Sequence, residues 1–174
     1  EAVCPVPDPL KLQQVMDEIG AHLDGSLDLH DMMTLVLQGM HVGIGLDRIV
    51  FSLISRDRAF LKAKYVHGAP PGSPLRQFEV DLRSSNLFVR LLEKMQGVWF
   101  SPANAKTLAP MIPPEVLKTI GSGEFFAMSI FVHGKPVGLF YADRKHGACS
   151  LDEHSYIEFK KLCVRAADGL AHLA

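Results

Sequence analysis

The stretch from Glu124 to Asp143 constrains this chain more than any other. Phe126, Met128, Ile130 and Val132 form one wholly apolar face at period two, and Phe125, Ala127, Ser129 and Phe131 form a second face that is nearly as apolar. A strand apolar on both sides lies inside a sheet and is covered above and below. His133-Gly134-Lys135 reads as a turn into a second apolar run, Lys135 to Asp143, so the two runs form an antiparallel hairpin. The rest of the chain must therefore supply a layer for each face of a sheet. Its 174 residues suffice, since a domain of roughly 150 residues hides about 70% of the surface its unfolded chain exposes.

The remaining elements follow from periodicity. Leu12, Val15, Met16, Ile19 and Leu23 mark an amphipathic helix that Asp24-Gly25-Ser26 breaks. Leu29, Met32, Met33, Val36, Leu37 and Met40 mark a second, with Asp28 as its N-cap and Gly43 and Gly45 at its end. Arg48 to Ser55 and Phe60 to His67 read as strands joined by the polar turn Arg56-Asp57-Arg58. In the first, Ile49, Phe51 and Leu53 face one way; in the second, Leu61, Ala63, Tyr65 and His67 share a side. Residues 68–76 carry too much Pro and Gly for regular structure. Phe78 to Leu82 is a short strand candidate, and Ser84 or Ser85 caps a helix carrying Leu87, Leu91, Leu92 and Met95. Val98-Trp99-Phe100 is a further strand candidate, followed by helical pieces near Asn104 to Leu108 and Pro114 to Ile120. A last helix starts after Asp152, with a stripe of Tyr156, Phe159, Cys163, Ala166, Leu170 and Leu173. Hairpins with helices at the termini and in the middle give an α+β layer arrangement. Residues 1–9, with three prolines, read as a linker or tail, and residues 10–174 as one domain.

Charge and cysteine usage exclude several function classes. Eighteen basic against nineteen acidic residues leave a net charge of −1, which offers no basic field for nucleic acid and no polybasic membrane patch. No apolar run approaches a membrane span, and no signal-peptide pattern opens the chain. The three cysteines, Cys4, Cys149 and Cys163, are odd in number and lack CxxC spacing. They predict no disulfide framework and a reducing, cytoplasmic setting. A start at Glu1 and not at Met fits a piece of a longer protein, or equally a processed chain.

The order helix, helix, hairpin, long loop, helix, short strand, irregular helices, hairpin, helix resembles the GAF domain. The most telling residues are Gly134-Lys135-Pro136-Val137-Gly138-Leu139-Phe140-Tyr141-Ala142-Asp143-Arg144, which look like the family's turn, Pro-Val-Gly and Tyr-x-Asp strand. Gly138 independently marks a strand position that something approaches closely. Gly45-Leu46-Asp47-Arg48-Ile49-Val50-Phe51 is similar to the family's first hairpin, and the likeness covers residues 10–173. The Gly-Leu-Asp-Arg and Tyr-Ala-Asp-Arg segments most resemble GAF domains that follow HD-related output (HDOD) domains in bacterial signalling proteins. The resemblance implies a central antiparallel sheet of about six strands, terminal helices on one face and a loop and short-helix segment over the other. It also implies a sensory or regulatory module that binds a small molecule, dimerises through its terminal helices, or both, to control an attached output domain. A ligand-free dimerisation or docking module is the alternative, and an enzyme like the free methionine sulfoxide reductases a distant one.

No cofactor is named by these residues. Asn104-Ala105-Lys106 is a loose echo of the cyclic-nucleotide signature and lacks its partners, and no cysteine lies in the pocket loops where bilin-binding relatives attach their chromophore. Of the thiols only Cys149 falls in a loop suited to redox chemistry. His146, Cys149 and His154 could surround one loop as metal ligands, but exposed loop residues are the simpler reading, so no metal is expected. If a small molecule binds, the fold places it between the sheet and the middle segment. The candidates there are Tyr65, Phe78, Trp99, Phe100, Asn104, Ser129, Tyr141 and Asp143. Ordinary core packing competes for each aromatic, and a turn or hairpin cap competes for Asp143. The stripe on the last helix serves either the domain's own core or a two-helix seam with a second copy.

Overall fold

The computed structural model describes residues 4–145 and 149–173. Two helices open the domain. α1 (Pro9–Ala21) starts at Asp8, whose carboxylate accepts from the Lys11 N–H, and α2 (Leu29–Gln38) starts at Asp28, which accepts from Asp31. α2 widens into a π-helical turn, Gly39–Ile44, and ends on Gly45 at φ 83°. The widening has a steric reason. A Cβ on Gly43 would lie 2.9 Å from the Leu12 Cβ, so only glycine lets this turn press on α1.

Six strands follow: β1 (Arg48–Ile54), β2 (Phe60–His67), β3 (Glu79–Asp81), β4 (Gly97–Phe100), β5 (Phe125–Val132) and β6 (Lys135–Asp143). They form one sheet in the order β3-β2-β1-β6-β5-β4, antiparallel throughout. This is the α+β arrangement that the residue pattern predicts, with the sheet of about six strands that the resemblance implies. The β5–β6 turn holds His133 at φ 52° and Gly134 at φ 77°, the two left-handed positions that match a tight turn to the twist of its strands. Between β3 and β5 lie α3 (Leu87–Leu91), α4 (Ala105–Leu108) and α5 (Pro114–Ile120). α3 is capped by Asn86, whose side chain accepts from Phe88 and Val89, not by Ser84 or Ser85, and it is shorter than the apolar spacing to Met95 implies. α6 (Glu153–Ala171) closes the domain, with Asp152 accepting from Ser155 at 2.7 Å.

Each face of the sheet is buried. On one, α1, α2 and α6 pack Val15, Ile19, Met33, Val36, Phe159 and Leu162 against Ile49, Phe51, Phe126 and Phe140. On the other, the middle segment packs Leu75, Phe78, Phe88, Val116 and Ile120 against Val50, Leu61, Ala127 and Tyr141. The double apolar character of β5 thus has its two covers. Gly138 behaves as its position implies: an added Cβ would meet the Ser52 carbonyl oxygen at 2.2 Å, inside the central β1–β6 pair.

Two sequence expectations are corrected. Tyr65 does not share a side with Leu61 and Ala63. In the β1–β2 ladder Phe51 pairs with Tyr65 and Ser52 with Ala63, so Lys64 is an extra, bulged residue. A one-residue bulge exchanges the two faces beyond it, which turns Tyr65 toward the terminal helices. The cysteines are not all free either: Cys4 and Cys149 form a disulfide with a Cα–Cα distance of 5.8 Å across 145 residues of sequence. No local spacing could signal it, because residues 4–8 fold back past Gly45 to the loop after β6. Cys163 is buried among the helices.

Candidate functional site

The space between the sheet and the middle segment is filled by side chains. Phe78 lies 5.9 Å, ring to ring, from Tyr141 and meets Phe88 edge-on, while Phe100 stacks on Phe125 at 4.9 Å. Phe78, Phe100, Tyr141 and Asp143 are all buried on this side. Ser129 is buried there too, and its hydroxyl sews the chain after α3 to the sheet: it accepts from the Gln96 N–H at 3.1 Å and donates to the Lys94 carbonyl at 3.0 Å. Asn104 closes the turn after β4, donating to the Trp99 carbonyl and accepting from the Ser101 N–H. Trp99 itself faces the other way. Its ring packs near Phe126 and Tyr156, and its Nε1–H donates to Glu124. The eight candidates therefore do not converge on one cleft: Tyr65 and Trp99 face the helices, and Asn104 and Ser129 bond to backbone.

At the end of this interior sits a buried polar cluster. Arg48 and Asp143 are directly opposed in the β1–β6 register, and both point into the middle-segment side. The Arg48 guanidinium donates through Nε at 3.0 Å and through Nη2 to the Asp143 carboxylate, and Nη2 also reaches the Ile120 carbonyl at 2.7 Å. The Tyr141 hydroxyl donates to the same carboxylate, and the Lys145 N–H donates to its other oxygen at 3.1 Å. Burial works against the Arg48 charge, but the adjacent carboxylate outweighs it, and the guanidinium pKa rises. Burial, reinforced by Asp143, pushes the Tyr141 phenol well above its ordinary pKa, so the ring stays a neutral donor. Every acceptor direction of Asp143 is thus spent within the protein. Among the described residues no buried side-chain nitrogen or oxygen lacks a partner. The cluster ties β1, β6 and the end of α5 together. Asp143, a pocket candidate for which a turn cap competes, accepts from Lys145 as a cap would; Arg48 is absent from the candidates, and its signal is a charge opening an otherwise apolar strand.

The terminal-helix side differs on its outer surface. Ile157 is 41% and Val164 46% exposed on α6, one side of a surface groove of about 700 Å³ that also involves Met16, Met95, Met128 and Tyr156. Lys160 lies over the Tyr156 ring at 4.3 Å, and Arg165 donates to the Met16 carbonyl at 3.2 Å, fixing α6 against α1. Ile157 and Val164 lie off the predicted stripe, and sequence reasoning passed over them because charged residues surround each. The stripe itself serves the core through Phe159, Cys163 and Ala166. Among the described residues no group of three His, Cys, Asp or Glu could hold a metal ion. His146 lies outside the described residues, and Cys149 is bonded to Cys4. No helix among the described residues is long and apolar enough to cross a membrane.

Six antiparallel strands with terminal helices on one face and a short-helix segment over the other are the architecture of GAF domains. No protein-family model matches the sequence and no curated protein matches it, whereas many solved structures match the fold. The GAF domain of a phosphoenolpyruvate-protein phosphotransferase from Coxiella burnetii superposes with a TM-score of 0.66 at 13% identity, over 95% of each chain. Residues 122 to 287 of a methyl-accepting chemotaxis protein give 0.66 at 17% identity, over 90% of this chain and 94% of that one. The phycoerythrobilin-bound GAF domain of a cyanobacterial phytochrome gives 0.66 at 16% identity, over 92% and 94%.

Proposed function

We propose that this chain is a regulatory module of a signalling protein that works by docking to a second copy through α1 and α6, passing that state to an output domain attached outside the chain. The carrying observation is the contrast between the two sides of the sheet. The middle-segment side is filled and its polar groups are satisfied, while α6 keeps Ile157 and Val164 in water beside a groove rimmed by methionines. Apolar side chains left exposed together mark a contact surface, and Met-lined grooves adapt readily to a partner. The chemotaxis, phosphotransferase and phytochrome proteins that share the fold support a place in signal transduction, and an HDOD output domain is the one the sequence resemblance favours. A non-catalytic role accords with the thiols: burial pushes the Cys163 pKa well up, away from the nucleophilic thiolate, and Cys149 is bonded.

Light scattering tests the reading. The wild-type chain should run at twice its monomer mass at micromolar concentration, and Val164→Asp, which puts a charge in the groove, should run as a monomer with an unchanged circular dichroism spectrum. A wild-type monomer at all accessible concentrations would overturn the proposal. A thermal-shift screen against nucleotides, cyclic dinucleotides, amino acids and haem should be flat, because a ligand that binds only the native state must raise its melting point.

A further inference from the structure

The disulfide joins the strap of residues 4–8 to the loop that precedes α6. Residues 4–8 cross the π-helical turn at the end of α2: Pro5 packs on Gly45, where an added Cβ would come within 3.3 Å of the proline ring, and Val6 is 82% exposed. Pro5 and Pro7 have no N–H to donate, so the strap has few backbone anchors. The bond from the Asp8 N–H to the Gly43 carbonyl, 2.9 Å, is one of them. Pro7 of the strap lines a cavity of about 280 Å³ together with Pro9, Leu12 and Met16 of α1 and His154 and Glu158 of α6.

A second set of bonds holds the frame beneath the strap. Arg144 donates to the Gly45 carbonyl at 2.8 Å, the Ile44 carbonyl at 3.0 Å, the Ser150 carbonyl at 3.2 Å and the Ser155 hydroxyl at 2.9 Å. This one buried guanidinium locks the π-helical turn to the β6–α6 loop. The helix-side core meets the strap at Leu12 and Ile44, which line the cavity together with Pro7. Cys4 is exposed and Cys149 half-buried, so a soluble thiol can reach the pair. Cys149 also lines a surface pocket with Glu124, Arg144 and Lys145.

We infer that Cys4 and Cys149 form a redox latch: the disulfide holds residues 4–8 over the cavity between α1 and α6, and a thiol reductant releases them while the domain stays folded. In the release step a thiolate of the reductant attacks the Cys4 Sγ. The Cys4–Cys149 bond breaks, and its electron pair leaves with Cys149 as a thiolate that takes up a proton. A second reductant thiol then attacks the mixed disulfide on Cys4, giving the oxidised reductant and a Cys4 thiol. Two thiols of the reductant are oxidised to one disulfide, and two electrons and two protons pass to the protein. The latch concerns the strap alone and stands whether or not the helix face docks a second copy.

Amide hydrogen exchange on the 174-residue chain, oxidised and then equilibrated with millimolar glutathione, tests it. Alkylation after denaturation should label one thiol, Cys163, in the oxidised protein and three in the reduced one. On reduction the Asp8 amide should exchange at least about tenfold faster while β5 and β6 keep their protection. Cys4→Ser should exchange fast at Asp8 in both conditions, and Cys163→Ala should respond as the wild type does. Three labelled thiols in the oxidised protein would overturn the latch. So would an Asp8 amide indifferent to reduction, or a loss of protection that spreads into β5 and β6, which would make the bond a structural staple.

Discussion

Replacing Asp143 by Asn tests the buried cluster where its energetics are largest. Asn keeps the shape but removes the charge, and it turns one acceptor of the Arg48 guanidinium into a donor. Arg48 is 4% exposed and would keep the Ile120 carbonyl and one amide oxygen as partners, but no counter-ion. A buried charge that loses its counter-ion costs about 3–5 kcal/mol, a large share of the roughly 5–15 kcal/mol that holds a domain folded. For a chain of this size that corresponds to a melting point lowered by about 10 °C. Urea denaturation should show the midpoint falling with the slope preserved, since the surface exposed on unfolding is the same. The double variant Arg48→Met with Asp143→Leu should recover much of the loss, because it leaves no orphaned charge. A loss under about 1 kcal/mol for Asp143→Asn would refute the reasoning, since the pair would then be acting as an exposed one does.

Two further outcomes follow from the geometry. Gly138→Ala forces a methyl group against the Ser52 carbonyl in the central strand pair, and should cost about 2–3 kcal/mol in a urea titration; a neutral result would mean that β1 and β6 separate easily. Burial, then the neighbouring His41, hold the His67 pKa below its ordinary 6.5. The unfolded chain therefore binds a proton at a higher pH than the folded one, and stability falls as pH drops through about 6.5 toward the lower folded value. His67→Gln should flatten that part of a melting-temperature profile, and an unchanged slope would place its source in another group.

The fold was legible because each device that builds it is local. The double-faced apolar run of β5, the aspartate caps of α1, α2 and α6, and the His133-Gly134 turn act within a few residues of themselves. Asp8 is the exception in kind, since it falls at the end of a stretch that otherwise looked like linker. Errors arose where the cause was distant or one residue wide. A single bulge at Lys64 turned Tyr65 to the opposite face, and period-two counting has no means of seeing it. Trp99 stood among the pocket candidates because Tyr156 and Phe126, its actual neighbours, are 57 and 27 positions away in sequence. The disulfide was invisible for the same reason. The candidate pocket was the least legible part. Residue types that line a cleft are the types that fill a core, and only the packing of Phe78, Phe100 and Tyr141 against their neighbours distinguishes the two.

α1 and α6, and not the middle segment, form the proposed docking surface. Amide hydrogen exchange compared at low and high protein concentration maps that surface directly. Protection should grow with concentration over α6, around Ile157 to Val164, and over the adjoining turn of α1 at Met16, with the middle segment unchanged. Protection growing over residues 74–120 instead, or nowhere, would contradict it.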